Sequence, residues 1–245
     1  LAGVTVTIRD PICVRKTFPK YFDKFTELLA VPIITIDGPA GAGKGTIALG
    51  LSSRLGFHYL DSGALYRLLA LVSLKQGVDI DDEKGLSDLA TDLEVSFSEK
   101  GLLWKNKLIG DQIRSEAVSG RASKLAAYPS VRRSLLFLQR KCVHNPGLIA
   151  DGRDMGTMVF PNARLKVFLT ASLEERAKRR YKQLIEKGLD ANLRTVTAEI
   201  RDRDQRDENR EFSPLASAED ARTVDSTEKT PKQVINQIVR WFEGG

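Results

Sequence analysis

The chain has 245 residues, 42% of them hydrophobic and 29% charged, which suits one α/β domain with insertions. No run of about 18 apolar residues and no basic stretch ahead of an apolar core occurs, so the reading excludes a spanning helix and a secretory leader and expects a cytoplasmic protein. Cys13 and Cys142 fit no paired spacing and read as reduced thiols, and the net charge of +6 comes from arginines interleaved with acids late in the chain, which a phosphate-bearing small molecule explains at least as well as nucleic acid.

Taken in order, Val4-Thr5-Val6-Thr7-Ile8 has strand composition, and Phe18, Tyr21, Phe22, Phe25, Leu28 and Leu29 fall at helical spacing behind Pro19. This piece is too short to bury its aromatic stripe alone. The chain begins with Leu1 and has methionine only at Met155 and Met158, so sequence upstream is expected. The run Val6-Thr7-Ile8-Arg9-Asp10-Pro11-Ile12-Cys13-Val14-Arg15-Lys16-Thr17-Phe18-Pro19-Lys20-Tyr21-Phe22 resembles the extreme C-terminal end of 3-phosphoshikimate 1-carboxyvinyltransferase. That resemblance covers about the first 30 residues and implies the downstream part of a bifunctional fusion. The alternative is an ordinary terminal strand and helix, and in neither case is carboxyvinyl transfer expected.

Ile33-Ile34-Thr35-Ile36-Asp37 then reads as a strand that opens into Gly38-Pro39-Ala40-Gly41-Ala42-Gly43-Lys44-Gly45-Thr46 and a helix. Glycines at 38, 41, 43 and 45 let main-chain N–H groups turn inward around a phosphate, the helix points its positive end at the same place, and Lys44 adds a full charge toward β- and γ-phosphates. The position after the lysine, where Ser or Thr ordinarily binds magnesium, is Gly45. Thr46 lies one helical step, about 100°, further round and does not inherit that role. A magnesium ion held mostly by water and nucleotide oxygens is therefore expected. The Lys44-Gly45-Thr46 ending looks like that of the nucleoside monophosphate kinases.

Phe57 to Asp61 reads as a second strand, followed by a helix from Ser62-Gly63-Ala64-Leu65-Tyr66-Arg67 with Ser62 as its cap. At the carboxyl edge of a parallel sheet, this helix start and Arg67 are placed to grip an acceptor's phosphate, although either residue alone would read as ordinary surface chemistry. His58 is expected to be packed. Short strand-like pieces between 93 and 109 suggest a small antiparallel insertion. Ser123 to Arg140 looks helical with a break at Tyr128-Pro129, and Arg132 is its candidate for facing the acceptor.

Leu148-Ile149-Ala150-Asp151 is an apolar strand ending in a carboxylate, the place that supports magnesium in phosphate-loop enzymes, here through water. Gly152-Arg153-Asp154-Met155-Gly156 follows: Arg153 suits bidentate phosphate binding and Asp154 can accept from an exocyclic amine, against the alternative of a surface ion pair. After the strand Leu165 to Leu169, Ser172-Leu173-Glu174-Glu175 predicts a capping box for the helix carrying Arg176, Arg179 and Arg180. Arg201 to Arg210 alternates charge and reads either as a solvated salt-bridged helix or, beside a nucleotide, as an arginine lid. Thr223-Val224-Asp225 predicts a last strand, and Thr230, Pro231 and Gln233 the start of the closing helix.

From Ile33 onward the chain resembles the bacterial-type cytidylate kinases. The motifs that carry the resemblance are Gly38 to Thr46, Leu60-Asp61-Ser62-Gly63-Ala64-Leu65-Tyr66-Arg67, Ala150-Asp151-Gly152-Arg153-Asp154-Met155-Gly156-Thr157 and Arg203-Asp204-Gln205-Arg206-Asp207-Glu208-Asn209-Arg210. The resemblance implies an α/β phosphate-loop fold over 31–245: a parallel sheet flanked by helices, an antiparallel insertion near 84–122 and a helical lid near 190–213. It implies transfer of the ATP γ-phosphoryl to CMP or dCMP, with Mg²⁺, and no nucleic-acid or membrane partner. Ser123, Arg132 and Asp154 would read the cytosine. Arg67, Arg153 and Arg210 would hold the CMP phosphate, Asp207 the sugar, and Ser62 and Tyr66 would line the pocket. Lys44, Arg153, Arg203, Arg206 and Arg210 would supply the field for transfer. Other readings on the residues alone are a kinase of UMP or shikimate and a nucleic-acid-binding or scaffold protein, the latter predicting salt-dependent DNA binding.

Overall fold

Five residues rich in β-branched side chains, Ile33–Asp37, form β1, buried on both faces as the central strand of a parallel sheet must be. The computed structural model describes residues 30–98, 101–186 and 188–244, and the chain divides into the units Leu1–Val31 and Pro32–Gly245. The strand and aromatic helix expected in the first 30 residues, and the run resembling the carboxyvinyltransferase, lie outside the described residues.

In the second unit, β1 is followed by α1 (Lys44–Leu55), β2 (His58–Asp61), α2 (Ser62–Lys75) and α3 (Glu83–Thr91). Next come β3 (Val95–Ser98), β4 (Gly101–Trp104), β5 (Lys107–Leu108), α4 (Glu116–Leu125) and α5 (Pro129–Arg140). The chain ends with β6 (Leu148–Gly152), β7 (Leu165–Thr170), α6 (Leu173–Glu186), α7 (Leu193–Glu208), β8 (Arg222–Asp225) and α8 (Pro231–Glu243). The main sheet has the order β2-β6-β1-β7-β8 with every pair parallel. Its register sets Asp61 beside Asp151 and Asp37 beside Gly152, so the carboxyl ends of β2, β6 and β1 finish at one edge. The chain leaves β1 for β2 on one side and later returns as β7 on the other, which is the arrangement that opens a ligand crevice.

The core lies on both faces of that sheet. On one, Ile34, Ile36, Ile47, Leu51, Val234 and Ile238 join β1 to α1 and α8; on the other, Leu60, Leu65, Leu69, Leu135 and Leu148 join β2 and β6 to α2 and α5. A separate cluster of Ala177, Val196 and Ile200 packs α6 on α7. The expected antiparallel insertion is the sheet β3-β4-β5, with Lys105 and Asn106 at φ 49° and 60° in the tight turn between β4 and β5. The helical stretch expected from Ser123 to Arg140 is two helices, separated where Pro129 starts α5.

Three local expectations are corrected. Asp61, not Ser62, caps α2, accepting from Ala64 N at 2.9 Å, because its shorter reach back suits the last strand residue while Ser62 is already helical. His58 is exposed, its Nε2 2.9 Å from Asn145 O at the sheet's lower edge. Ser172 Oγ does accept from Glu175 N at 3.2 Å, but Glu175 turns its own carboxylate to Arg179 at 2.8 Å, leaving half a capping box. At α8 the box is complete, with Thr230 and Gln233 serving each other and Pro231 in the first turn. Among the described residues no helix is long and apolar enough to cross a membrane.

Candidate active site

The loop between β1 and α1 can exist only with glycine at its start. At Gly38, φ is +148° and a Cβ would stand 2.0 Å from Leu169 O, on the neighbouring strand. Gly43, at φ 93°, is the N-cap of α1 and brings no side-chain cap, so the first-turn N–H groups of α1 are left for a ligand. Lys44 is buried and its Nζ donates to Pro39 O at 2.8 Å. Burial and then the nearby Arg153 hold its pKa well below the usual lysine range.

Guanidinium groups gather opposite this loop from four segments. Arg67 comes from α2, where Nη2 meets Asp61 Oδ2 at 2.7 Å. Arg153 stands in the turn after β6, its Nε on Asp207 Oδ2 at 2.8 Å and its Nη1 on Gly152 O at 3.2 Å. Arg203 is carried by α7, and Arg210, just past the helix, pairs with the other oxygen of Asp207. Burial, and then Arg153, push Arg203 down to about 10. Burial lifts the Asp207 carboxyl, but Arg153, Arg210 and Arg203 outweigh it and hold the group below the ordinary carboxylate range.

Lys44, Arg67, Arg153, Arg203 and Arg210 thus outnumber their partners Asp61, Asp151 and Asp207. The Nε atoms of Arg67, Arg203 and Arg210 are buried without a hydrogen-bond partner. Buried charged donors without partners are expensive unless something else satisfies them, and a polyanion with many acceptor oxygens would satisfy all three.

A second group of side chains lies beside this cluster. Arg132 is buried, donates to Ala126 O at 3.0 Å, pairs with Asp154, and stands 5.8 Å from the centre of the Tyr66 ring. Ser123 Oγ is buried and without a partner, and Ser62 Oγ accepts from Gln139 Nε2 at 2.8 Å. Asp151 closes the edge at the end of β6, its Oδ2 accepting from Tyr59 OH at 2.8 Å, and burial followed by Asp61 pushes its pKa up to about 7. A Cβ on Gly45 would be 3.6 Å from Asp151 Oδ2, so the missing side chain keeps that carboxylate open toward the loop.

The family model described as Cytidylate kinase matches residues 34–244. The chain belongs to the cytidylate kinase family. A cytidylate kinase from Aeromonas salmonicida is 52% identical over 216 residues, covering 86% of this chain and 94% of that protein. One from Nitrosomonas eutropha is 50% identical over 212 residues, covering 86% and 95%. Among solved structures, a shikimate kinase from Acinetobacter baumannii in complex with shikimate aligns at 18% identity and a TM-score of 0.44, over 87% of this chain and 94% of that one, which is too distant to bear on the argument.

Against this cytidylate kinase fold, the sequence-predicted residues divide. Lys44, Arg67, Arg153, Arg203 and Arg210 come together around the glycine loop Gly38, Pro39, Ala40, Gly41, Ala42, Gly43, Gly45, and Tyr66, Arg132 and Asp154 come together beside them, while Ser62 meets Gln139 and Ser123 is buried without a hydrogen-bond partner. Arg206 does not join them: it is exposed and its Nε donates to Asp202 O at 3.2 Å within α7. Val196, Ile200, Asp204 and Asp207 form the buried stripe of α7, and Arg206 falls about 100° off Asp207. Extending the Val196–Ile200 stripe along the sequence would have separated Arg203 from Arg206. Asp207, expected at a sugar, also holds Arg153 and Arg210, with lone pairs remaining on both oxygens. Thr46 is exposed.

Several residues of the site escaped the sequence reading. Asp37, at the end of β1, accepts from Met155 N at 2.8 Å and Gly156 N at 2.7 Å and so anchors the turn that carries Arg153 and Asp154. Burial pushes its pKa up to about 6 despite those bonds. Gln139 carried a usable signal, a polar residue on the stripe Val131, Arg132, Leu135, Gln139 that α5 buries. Tyr59 carried none, since its partner is 92 positions away.

Proposed function

We propose that this protein transfers the γ-phosphoryl group of ATP to CMP or dCMP by direct in-line displacement, giving ADP and CDP or dCDP. The observation that carries the reading is the cluster of buried, incompletely bonded guanidinium groups facing Lys44 and the open glycine loop. Two phosphorylated substrates would meet there.

The glycine-loop N–H groups, the free start of α1 and Lys44 suit the donor's β- and γ-phosphates. Arg67, Arg153 and Arg210 suit the acceptor's phosphate, and Arg203 completes the positive field over the transferring group. On the far side, Ser123, Arg132 and Asp154 are read as cytosine ligands: Asp154 accepts from the exocyclic amine, while Arg132 and Ser123 donate to ring acceptors. Ser62 and Tyr66 line that pocket, and the remaining lone pairs of Asp207 are available to a sugar hydroxyl. No general base is needed, because the acceptor phosphate is already an anion. Rate comes from alignment, exclusion of water and fixed positive charge. The helical segment near 190–213 and the insertion near 84–122 are read as the parts that close around the substrates.

Among the described residues no cluster of His, Cys, Asp and Glu could by itself hold a metal. Asp151 is read as the carboxylate that would hold Mg²⁺, through water, beside the position where Gly45 carries no side chain. When bound, the ion would neutralise charge on the donor phosphates. The N-terminal run resembling the end of 3-phosphoshikimate 1-carboxyvinyltransferase carries a fusion reading on which this activity does not depend.

An ADP-release assay with CMP, dCMP, UMP and AMP tests the proposal. Turnover with CMP or dCMP at least about tenfold above UMP and AMP is the expected result. Equal turnover with all four, or none with cytidylates, would overturn it.

A further inference from the structure

The glycine loop is also held from outside, by side chains that the proposed transfer does not use. Ala40 is engaged at both of its main-chain polar groups. Its N–H donates to Asp204 Oδ1 at 3.2 Å, and its carbonyl accepts from Arg176 Nη1 at 3.0 Å. Arg176 and Asp204 are themselves a buried ion pair, and Arg176 Nε is fixed to Ala171 O at 3.0 Å. The clamp therefore has one jaw tied to the start of α6 and the other carried on α7. Loop and α6 touch: at Gly41, φ +77°, a Cβ would stand 3.1 Å from Arg176 Cβ.

Asp204 directly follows Arg203, and Asp207 lies about one turn further on. Because α7 is rigid over that span, the contact of Asp204 with Ala40 N–H fixes where Arg203 and Asp207 stand relative to the donor loop. A carboxylate beside a triphosphate site would repel the donor if it were uncompensated. Arg176 neutralises it and converts the contact into an oriented, charge-assisted hydrogen bond.

We propose that Asp204, with Arg176, is a positioning residue for the donor phosphates: it sets the conformation of the Ala40 segment of the loop and seats Arg203 in the site only while α7 is docked on that loop. The inference deepens the phosphoryl-transfer reading and rests on it. Among the described residues no hydrogen bond or ion pair joins Ser123, Arg132 or Asp154 to Arg176 or Asp204, so donor and acceptor kinetics should respond differently.

The test is steady-state kinetics of the whole chain with Asp204→Ala, Asp204→Asn and Arg176→Lys, together with hydrogen exchange at the Ala40 amide. Asp204→Ala should raise KM for ATP about tenfold and lower kcat about tenfold, with KM for CMP within about twofold. Asparagine still accepts from Ala40 N–H, so Asp204→Asn should keep Ala40 protected from exchange and recover most of the ATP affinity. Arg176→Lys keeps the charge but has a single nitrogen and cannot hold Ala171 O and Ala40 O from two positions at once, and should raise KM for ATP at least about fivefold. It carries the test on its own if Asp204→Ala does not fold. A folded Asp204→Ala variant with both constants within twofold of wild type, an unchanged KM for ATP in Arg176→Lys, or an equal rise in both KM values would overturn the inference. Absence of CMP phosphorylation by the wild type would sink the functional reading instead, and Ala40 exchange in Asp204→Ala and Asp204→Asn would still judge the clamp.

Discussion

Arg153 Nε and Asp207 Oδ2 stand 2.8 Å apart, tying the turn after β6 to the helix α7. The other oxygen of Asp207 pairs with Arg210, so one buried carboxylate aims both guanidinium groups. Asp207→Ala should leave two buried cations facing each other without an anchor. We expect a loss of about 3–5 kcal/mol in stability and at least an hundredfold drop, about 100, in kcat/KM for CMP. Denaturant melts and steady-state kinetics check this, and added sulfate should restore part of the stability by supplying the missing negative charge. A variant as stable as wild type, with or without sulfate, would contradict the account.

Arg203 and Arg206 share a helix and a charge yet have different surroundings. Arg203 has a buried, unpartnered Nε beside Arg153, whereas Arg206 is exposed. Arg203→Ala should lower kcat by about 100-fold or more, as loss of a donor to the transferring group does in comparable sites, and Arg206→Ala should stay within about threefold. Single-turnover rates with saturating ATP and CMP distinguish them, and equal losses would mean that α7 turns during catalysis.

Asp154 pairs with Arg132, is buried, and is proposed to read the cytosine. Replacing it by asparagine introduces a donor where only acceptors stood, so a keto group becomes acceptable as well as an amine. The CMP-to-UMP ratio of kcat/KM should fall at least about tenfold. An unchanged ratio would remove Asp154 from base recognition.

Asp37 offers a pH signature. Its pKa is raised by burial from the ordinary 3.8 to about 6, so the folded state binds its proton more tightly than the unfolded one. Stability contributed through this group is greatest below about pH 4, falls as pH rises toward 6, and is level above that. The total change is about 3 kcal/mol. Asp37→Asn should flatten the difference in melting temperature between pH 4 and 6.5, measured against wild type at each pH, because carboxylates common to both proteins cancel. Parallel curves for the two proteins would show that Asp37 does not titrate in this window.

What was legible beforehand was whatever depends on neighbours along the chain. The strand into Gly38 to Thr46 needs only β-branched residues, glycines at the strained positions and a helix start, all within a few residues of one another. The same holds for the Thr230 capping box and the break before Pro129. Asp61 taking the cap from Ser62 shows the limit of this local reading, since two adjacent residues can serve and only the strand's end decides between them.

The amino-acid order by itself determined the glycine loop, the alternation of strands and helices, and the turn that carries Arg153 and Asp154 after β6, because these follow from backbone preference and short-range spacing. Which charges face each other was decided only by the tertiary structure. Ala40 meets Asp204 across 164 positions and Ser62 meets Gln139 across 77. The apolar stripe of Val196 and Ile200 gives α7 a buried side in the sequence, but a buried ion pair is specified only when two distant segments are brought out of water together.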